Sequence, residues 1–229
     1  MVKRVLKKLY IFLMFLFLYA PIIVLIVFSF NDSRSRGTWK GFTLKWYAEL
    51  FTNSEILSAL YYTILIAILA SVISTIVGTF AAIGIHGMSG YKKKAVLNLN
   101  YLPVLNPDIV TAVSLMTLFK FFRLEFGFVT LLLSHITFCI PYVILSVLPK
   151  LRQMNKHLPE AAMDLGATPF YALRKVVIPE IKPGIVSGAL IAFTLSIDDF
   201  VISFFNKGVG VTNLSITIYS MARRGINPV

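Results

Sequence analysis

The chain has 229 residues, of which 57% are hydrophobic, and a mean hydropathy of +0.80. A soluble domain is nearer 45–50% apolar, so the composition excludes one and indicates an integral membrane protein. The net charge of +12 is spread between apolar runs and forms no single patch or arm, which favours a membrane-topology reading over a nucleic-acid partner. Cys139 is the single cysteine, so no internal disulfide or thiolate metal cluster is available, and a small apolar filler is its expected role.

Lys3, Arg4, Lys7 and Lys8 precede residues 9–30, a charge-free run. It is too long for a signal peptide and no small-x-small cleavage site follows, so it reads as a first transmembrane helix with its N-terminus in the cytosol. Residues 31–55 are polar and contain Trp39, Trp46 and Tyr47, placed at the outer membrane interface. Two Asn-x-Ser triplets, at Asn31 and Asn213, read as chance. Residues 56–85 are a second charge-free run, longer than the roughly 20 residues needed to span. Within it Ala70, Ser74, Gly78 and Ala82 recur every fourth residue, a stripe that allows another helix to approach closely. Three lysines, Lys92 to Lys94, mark the next cytosolic loop.

Residues 95–119 return outward but are broken at Asn106-Pro107-Asp108. Asn106 is expected as an N-cap and Pro107 at the first helical position. Such interruptions persist in a membrane only where backbone is buried in protein or lines a cavity. Asp108 then either complements the new helix dipole or faces a polar path. Residues 126–148 form a fourth span that contains Ser134 and His135. There the histidine either hydrogen-bonds a neighbouring helix or titrates in function. Residues 184–205 form a fifth, with Asp198 about 21 Å along it from Gly184. Asp198 and Asp199 are adjacent, so on a helix they point about 100° apart; one is expected to cap or pair internally and the other to face a pathway. Residues 206–229 are too polar for a sixth span. Inner segments carry more Lys and Arg than outer ones, the expected sign.

The charged stretch at 150–183 lies between the last two spans and has the punctuation of two short helices. Pro159 suits the first position of a helix, Glu160 its first turn, Gly166 a left-handed C-terminal position, and Thr168-Pro169 a second N-terminus. That second helix is expected to stop before Pro179. The bare alternative is an ordinary polar loop. Glu160-Ala161-Ala162, then three residues, Gly166, nine residues and Val176-Val177-Ile178-Pro179 resemble the EAA loop of bacterial ABC importer permeases. Only Val176 and Ile178 depart, conservatively, from that family's Ile-x-Leu-Pro ending. The resemblance implies that Glu160, Ala161, Ala162, Asp164, Gly166 and Pro179 couple the permease to an ATP-hydrolysing subunit.

Further stretches, among them Pro107-Asp108-Ile109-Val110, Ser134 to Cys139 and Phe193 to Asp199, extend the likeness over nearly the whole chain. It is similar to the second permease subunits of spermidine/putrescine importers. The likeness implies an all-α membrane protein, a MetI-like type I importer bundle in the bacterial inner membrane. Residues 1–229 would form one permease domain with five apparent transmembrane helices, and the family's sixth, beyond Pro228, is not in this sequence. The implied partners are a second permease subunit, two ATPase subunits, a periplasmic polyamine-binding protein and membrane lipid.

No Gly-x4-Gly-Lys-Ser/Thr loop, metal-ligand spacing or nucleophile elbow occurs, so the chain reads as a transport subunit without cofactor or metal and not an enzyme. A polyammonium substrate suits carboxylates and aromatic faces, which makes Asp108, Asp198, Asp199 and Tyr219 the candidate pathway residues. Two other readings stay open. One is a permease for another solute such as iron, sulfate or molybdate. The other is an ion-coupled secondary transporter using Asp108 or Asp198, which would leave the elbow unexplained.

Overall fold

The computed structural model describes residues 2–33, 38–155 and 157–223, and every regular element among them is helical. In chain order these are α1 (Val2–Phe28), α2 (Lys45–Thr52), α3 (Ser54–Gly87), α4 (Gly90–Leu105), α5 (Asp108–Phe121) and α6 (Phe128–Gln153). After them come α7 (His157–Asp164), α8 (Pro169–Ala172), a π-helical turn (Leu173–Val177), α9 (Ile178–Asp198), α10 (Val201–Asn206) and α11 (Leu214–Arg223). Four stretches are long and apolar enough to cross a membrane: Leu6–Phe28, Ser54–Gly87, Phe128–Gln153 and Pro169–Asp198. The pair α4–α5, bent by 108° at its break, makes a fifth if it counts as one broken span and not as a re-entrant loop. The number of candidate spans agrees with the five expected from the sequence. Residues 224–229, the polar end of the sequence reading, lie outside the described residues.

The chain forms two compact units, Met1–Leu57 with Ile218–Val229, and Ser58–Thr217. In the first, α1 exposes its apolar side chains from Leu9 to Val27 almost without exception, which suits lipid or a partner helix rather than water. The loop after it is closed by Asn31, which is buried. Its side-chain amide donates to Thr38 O at 2.8 Å, and its Oδ1 accepts from Lys40 N at 2.9 Å. Trp46 is also buried, its indole N–H donating to Asn31 O at 2.9 Å. Trp46 is therefore a wedge inside this loop, not the interfacial anchor expected of it. The internal bonds of Asn31 also remove it as a modification acceptor, in line with reading its triplet as chance.

In the second unit α6 lies at the centre. Phe138, Cys139, Val143, Val147 and Leu151 are buried in one core with Ala82 of α3, Ala112 of α5, and Ile181 and Ala192 of α9. Glycines permit this closeness. A Cβ on Gly78 would stand 2.8 Å from Val143 Cβ, and one on Gly188 would stand 3.3 Å from Val143 Cα. Ser71 Oγ on α3 donates to Ala189 O on α9 at 2.8 Å. The small-residue stripe of α3 is thus spent, at Gly78, on α6 of the same chain. We expect Gly78→Leu to overpack this contact and destabilise the protein by about 1–3 kcal/mol or more. A lower thermal unfolding temperature of the purified permease in detergent is the measurement. An unchanged midpoint would show that α3 and α6 can separate freely there.

Two expectations about helix ends are corrected. The second elbow helix does not stop before Pro179: α8, the π turn and α9 run on continuously to Asp198. Proline in an α-helix clashes with the carbonyl four residues back. The wider turn, with Ile178 N–H donating to Leu173 O, relieves that clash, so the transmembrane helix grows straight out of the elbow. The second correction is at the other end. α9 stops at Asp198, and Asp199 is extended (φ −65°, ψ 129°), so residues 184–205 are two helices and not one.

Candidate functional site

The break between α9 and α10 is built by Asp199. Its Oδ1 accepts from Ile202 N at 3.1 Å and its Oδ2 from Ser203 N at 2.7 Å, which gives two otherwise orphaned donors of α10 a carboxylate partner. The Asp199 carbonyl accepts from the Asn213 amide at 2.8 Å, while Asn213 Oδ1 accepts from Ile216 N and so caps α11. Asn213 is buried in this role, which disposes of the second Asn-x-Ser triplet. On α6, buried His135 faces the same break. Its Nδ1 is 2.7 Å from Ser196 Oγ on α9, and its Nε2 is 2.9 Å from Ser203 Oγ on α10. The same Nε2 is 3.6 Å from Asp199 Oδ2. His135 thus makes the hydrogen bonds between helices that one of its two sequence readings expected.

Asp108 opens α5 after the bend. The boundary differs by one residue from the expected one. Asn106 closes α4 by donating its N–H to Leu102 O, Pro107 is the N-cap (φ −56°, ψ 138°), and Asp108 takes the first helical position. Pro107 is itself extended, so the helix starts one residue later than the first-position reading of proline would have it. Asp108 nonetheless sits where a carboxylate complements the dipole of α5.

Asp108, Asp198 and Asp199 line one cavity of about 390 Å³ together with Phe138, Thr194, Leu195, Phe200 and Val201. Asp199 is held by its caps. Asp108 and Asp198 are exposed, and no hydrogen bond or ion pair to either carboxylate occurs among the described residues. Asp108 thus stands at the first position of α5 and borders this cavity. Tyr219 belongs to the other unit, where it is about half exposed on α11. A larger cavity of about 910 Å³ is lined by Lys120, Glu125, Lys207 and several apolar residues. Its two ammonium groups make it the poorer place for a cation.

The elbow is a second site. α7 begins at His157, whose N–H donates to Asn155 Oδ1, so Pro159 stands third and not first. Proline is still tolerated there because first-turn N–H groups lack helical partners. Glu160 Oε2 is 2.9 Å from His157 Nδ1. Gly166 has φ +90°, as its position required. Its N–H donates to Met163 O, and Ala167 N donates to Ala162 O, the paired bonds of a Schellman motif. Thr168 Oγ1 then accepts from Tyr171 N to start α8. Between the two short helices lies a cavity of about 510 Å³ lined by Ala162, Leu165, Gly166, Ala167, Thr168 and Tyr171. Leu165 is 90% exposed and Phe170 71%.

Sequence reasoning did not find the polar clamp of His135, Ser196 and Ser203, nor Phe138 and Phe200 in the cavity wall. The clamp residues are 61 and 68 positions apart, so no local spacing announces them. The one signal was a histidine in an otherwise charge-free span.

The sequence pattern of the binding-protein-dependent transport system inner membrane components matches residues 74–224. The chain belongs to this family. Among similar proteins is the spermidine/putrescine transport system permease protein PotC of Haemophilus influenzae, 40% identical over 97% of this chain and 87% of that protein. PotI of Escherichia coli, a putrescine transport system permease protein, is 37% identical over 93% of this chain and 79% of its own length. A PotC homolog of Mycoplasma genitalium is 30% identical over 98% and 83%. As an inner-membrane transport component, the family member described here needs an aqueous route and an attachment to its driving machinery. The carboxylate cavity and the elbow are its two candidates.

Proposed function

We propose that the chain is the permease subunit of an ATP-driven importer of spermidine or putrescine. It would act as one permease domain, share its pathway with a second permease subunit, and receive substrate from an exported polyamine-binding protein. The observation that carries this reading is the cavity that gathers Asp108, Asp198 and Asp199. Three carboxylates suit a polyammonium chain, and the aromatic and aliphatic wall suits the methylenes between its charges. They disfavour sulfate or molybdate, which they would repel. The names of the relatives support the same substrate class. The sequence has no phosphate-binding loop of its own, so ATP hydrolysis is assigned to separate subunits that dock at the elbow. Exposed Leu165 and Phe170 beside a glycine-hinged cavity favour such a partner, since apolar side chains on a polar loop gain from being covered.

The test is uptake in cells that lack other polyamine importers, complemented with this chain and its co-expressed partners. Labelled spermidine or putrescine should accumulate, and excess sulfate, molybdate or ferric ion should not compete. Uptake that collapses with the proton gradient while ATP is held constant would instead establish an ion-coupled carrier.

A further inference from the structure

We propose that His135 is the positioning residue of the carboxylate cavity: it sets the angle between α9 and α10 and thereby where the Asp199 carboxylate faces. This rests on the polyamine reading only for its choice of transport probe. Three elements meet at the one imidazole. Its Nδ1 reaches Ser196, on the last turns of α9, and its Nε2 reaches Ser203, on α10, at 2.7 and 2.9 Å. Between those serines the backbone leaves the helix at Asp199, whose own carboxylate holds the amides of Ile202 and Ser203.

A break of this kind leaves helix-terminal groups to be satisfied, and α10 has only six residues, too short to hold its direction alone. The imidazole supplies the missing constraint from a rigid neighbour. His135 is 2% exposed on α6, and α6 is the most deeply packed helix of this unit. Asp199 Oδ2, 3.6 Å from Nε2, favours the tautomer with the proton on Nε2. Nε2–H then donates to Ser203 Oγ, while Nδ1 accepts from the Ser196 hydroxyl. Each ring nitrogen has one serine partner, Nδ1 before the break and Nε2 after it, so α9 and α10 cannot pivot without losing a buried hydrogen bond. Loss of a buried partner is a large penalty relative to the bond itself. Asp199, Asp198 and Phe200 all lie on that pivot and all line the cavity.

The role is separable from simple core filling by a double-mutant cycle on spermidine uptake by the assembled transporter. His135→Ala should raise the apparent KM about tenfold with normal recovery of the complex. In an Asp199→Asn background the same change should add little, because coupled neighbours are non-additive. If His135→Ala is poorly recovered, the cycle is run with Ser203→Ala, which removes only the Nε2 partner and should move KM in the same direction. A second readout needs no substrate. A single reactive cysteine is placed at the cavity rim by Asp198→Cys, with native Cys139 buried, and labelled with a cationic thiol reagent. Its labelling rate should change severalfold when His135 is replaced. Changed labelling without any spermidine uptake by the parent transporter would uphold the positioning role and sink the substrate reading. Additive KM effects together with an unchanged labelling rate would overturn the role of His135.

Discussion

Gly166→Val should reduce uptake roughly 5- to 30-fold while the permease still inserts and is recovered normally. At φ +90° the backbone lies where a β-branched residue is strained by about 1–2 kcal/mol. Strain is the whole effect, because a Cβ built at Gly166 meets nothing within 4 Å. The transmembrane core is therefore untouched. What suffers is the turn between α7 and α8. If the chain relaxes by moving φ to a negative value, the bonds Gly166 N–Met163 O and Ala167 N–Ala162 O are lost together. α8 is continuous with α9, so it is α7, eight residues long, that then loses its hold. The elbow cavity, which Leu165 and Tyr171 help to line, then changes shape. A strain of this size corresponds to a roughly 5- to 30-fold loss of the competent conformer. Gly166→Asn should keep more activity than Gly166→Val, since asparagine visits left-handed backbone most readily after glycine. Glu160→Lys should act differently. It reverses the charge beside His157 and disturbs docking without straining the backbone. Uptake by Gly166→Val at the normal rate would remove the elbow as the coupling element.

The sequence made the helices and the elbow legible because both are written locally. Charge-free runs give spans, and Gly166, Thr168 and Pro169 give turn and cap positions with their own physical reasons. Where the reading failed, a second, non-local term had entered. Pro179 carries a local stop signal, and a widened turn in the preceding residues overrides it. Asp198 and Asp199 sit in a run apolar enough to be read as uninterrupted helix. The chain breaks there because Asp199 finds amides of α10 to cap and His135 finds serines on both sides. Such a clamp depends on which helices become neighbours, and no spacing in the sequence encodes that. Pro107 and Pro159 were misplaced by one or two positions for a humbler reason: proline needs no helical N–H partner, so it fits the N-cap, as at Pro107, or a later first-turn position, as at Pro159, and marks a helix start only loosely.

The three cavity aspartates should respond unequally to replacement by asparagine, and the inequality follows from their partners. Asp199 accepts two backbone N–H groups with two oxygens. An amide has one oxygen, so Asp199→Asn loses half of that cap, about 1 kcal/mol, and should lower recovery of folded protein as well as uptake. Asp108 and Asp198 have no such duty toward side chains or loops among the described residues, and their loss should leave recovery unchanged. Asp108→Asn weakens only a dipole interaction at the exposed start of α5, worth about 0.3–1 kcal/mol. Asp198→Asn removes a free carboxylate at the end of α9 from a cavity with two others. A carboxylate 4 Å from an ammonium is worth about 1 kcal/mol in water and about 4 kcal/mol at an effective dielectric of 20. Asp198 is exposed, so the lower part of that range applies, and the apparent affinity for polyamine should fall about tenfold or somewhat more. Assembly with the partner subunits and ATP turnover should persist in Asp198→Asn, because neither the core nor the elbow has changed. Measured side by side, the three variants separate a cation site from a structural cluster. Unchanged uptake rate and apparent affinity in all three would make these acids structural, and the cavity would then carry no substrate at all.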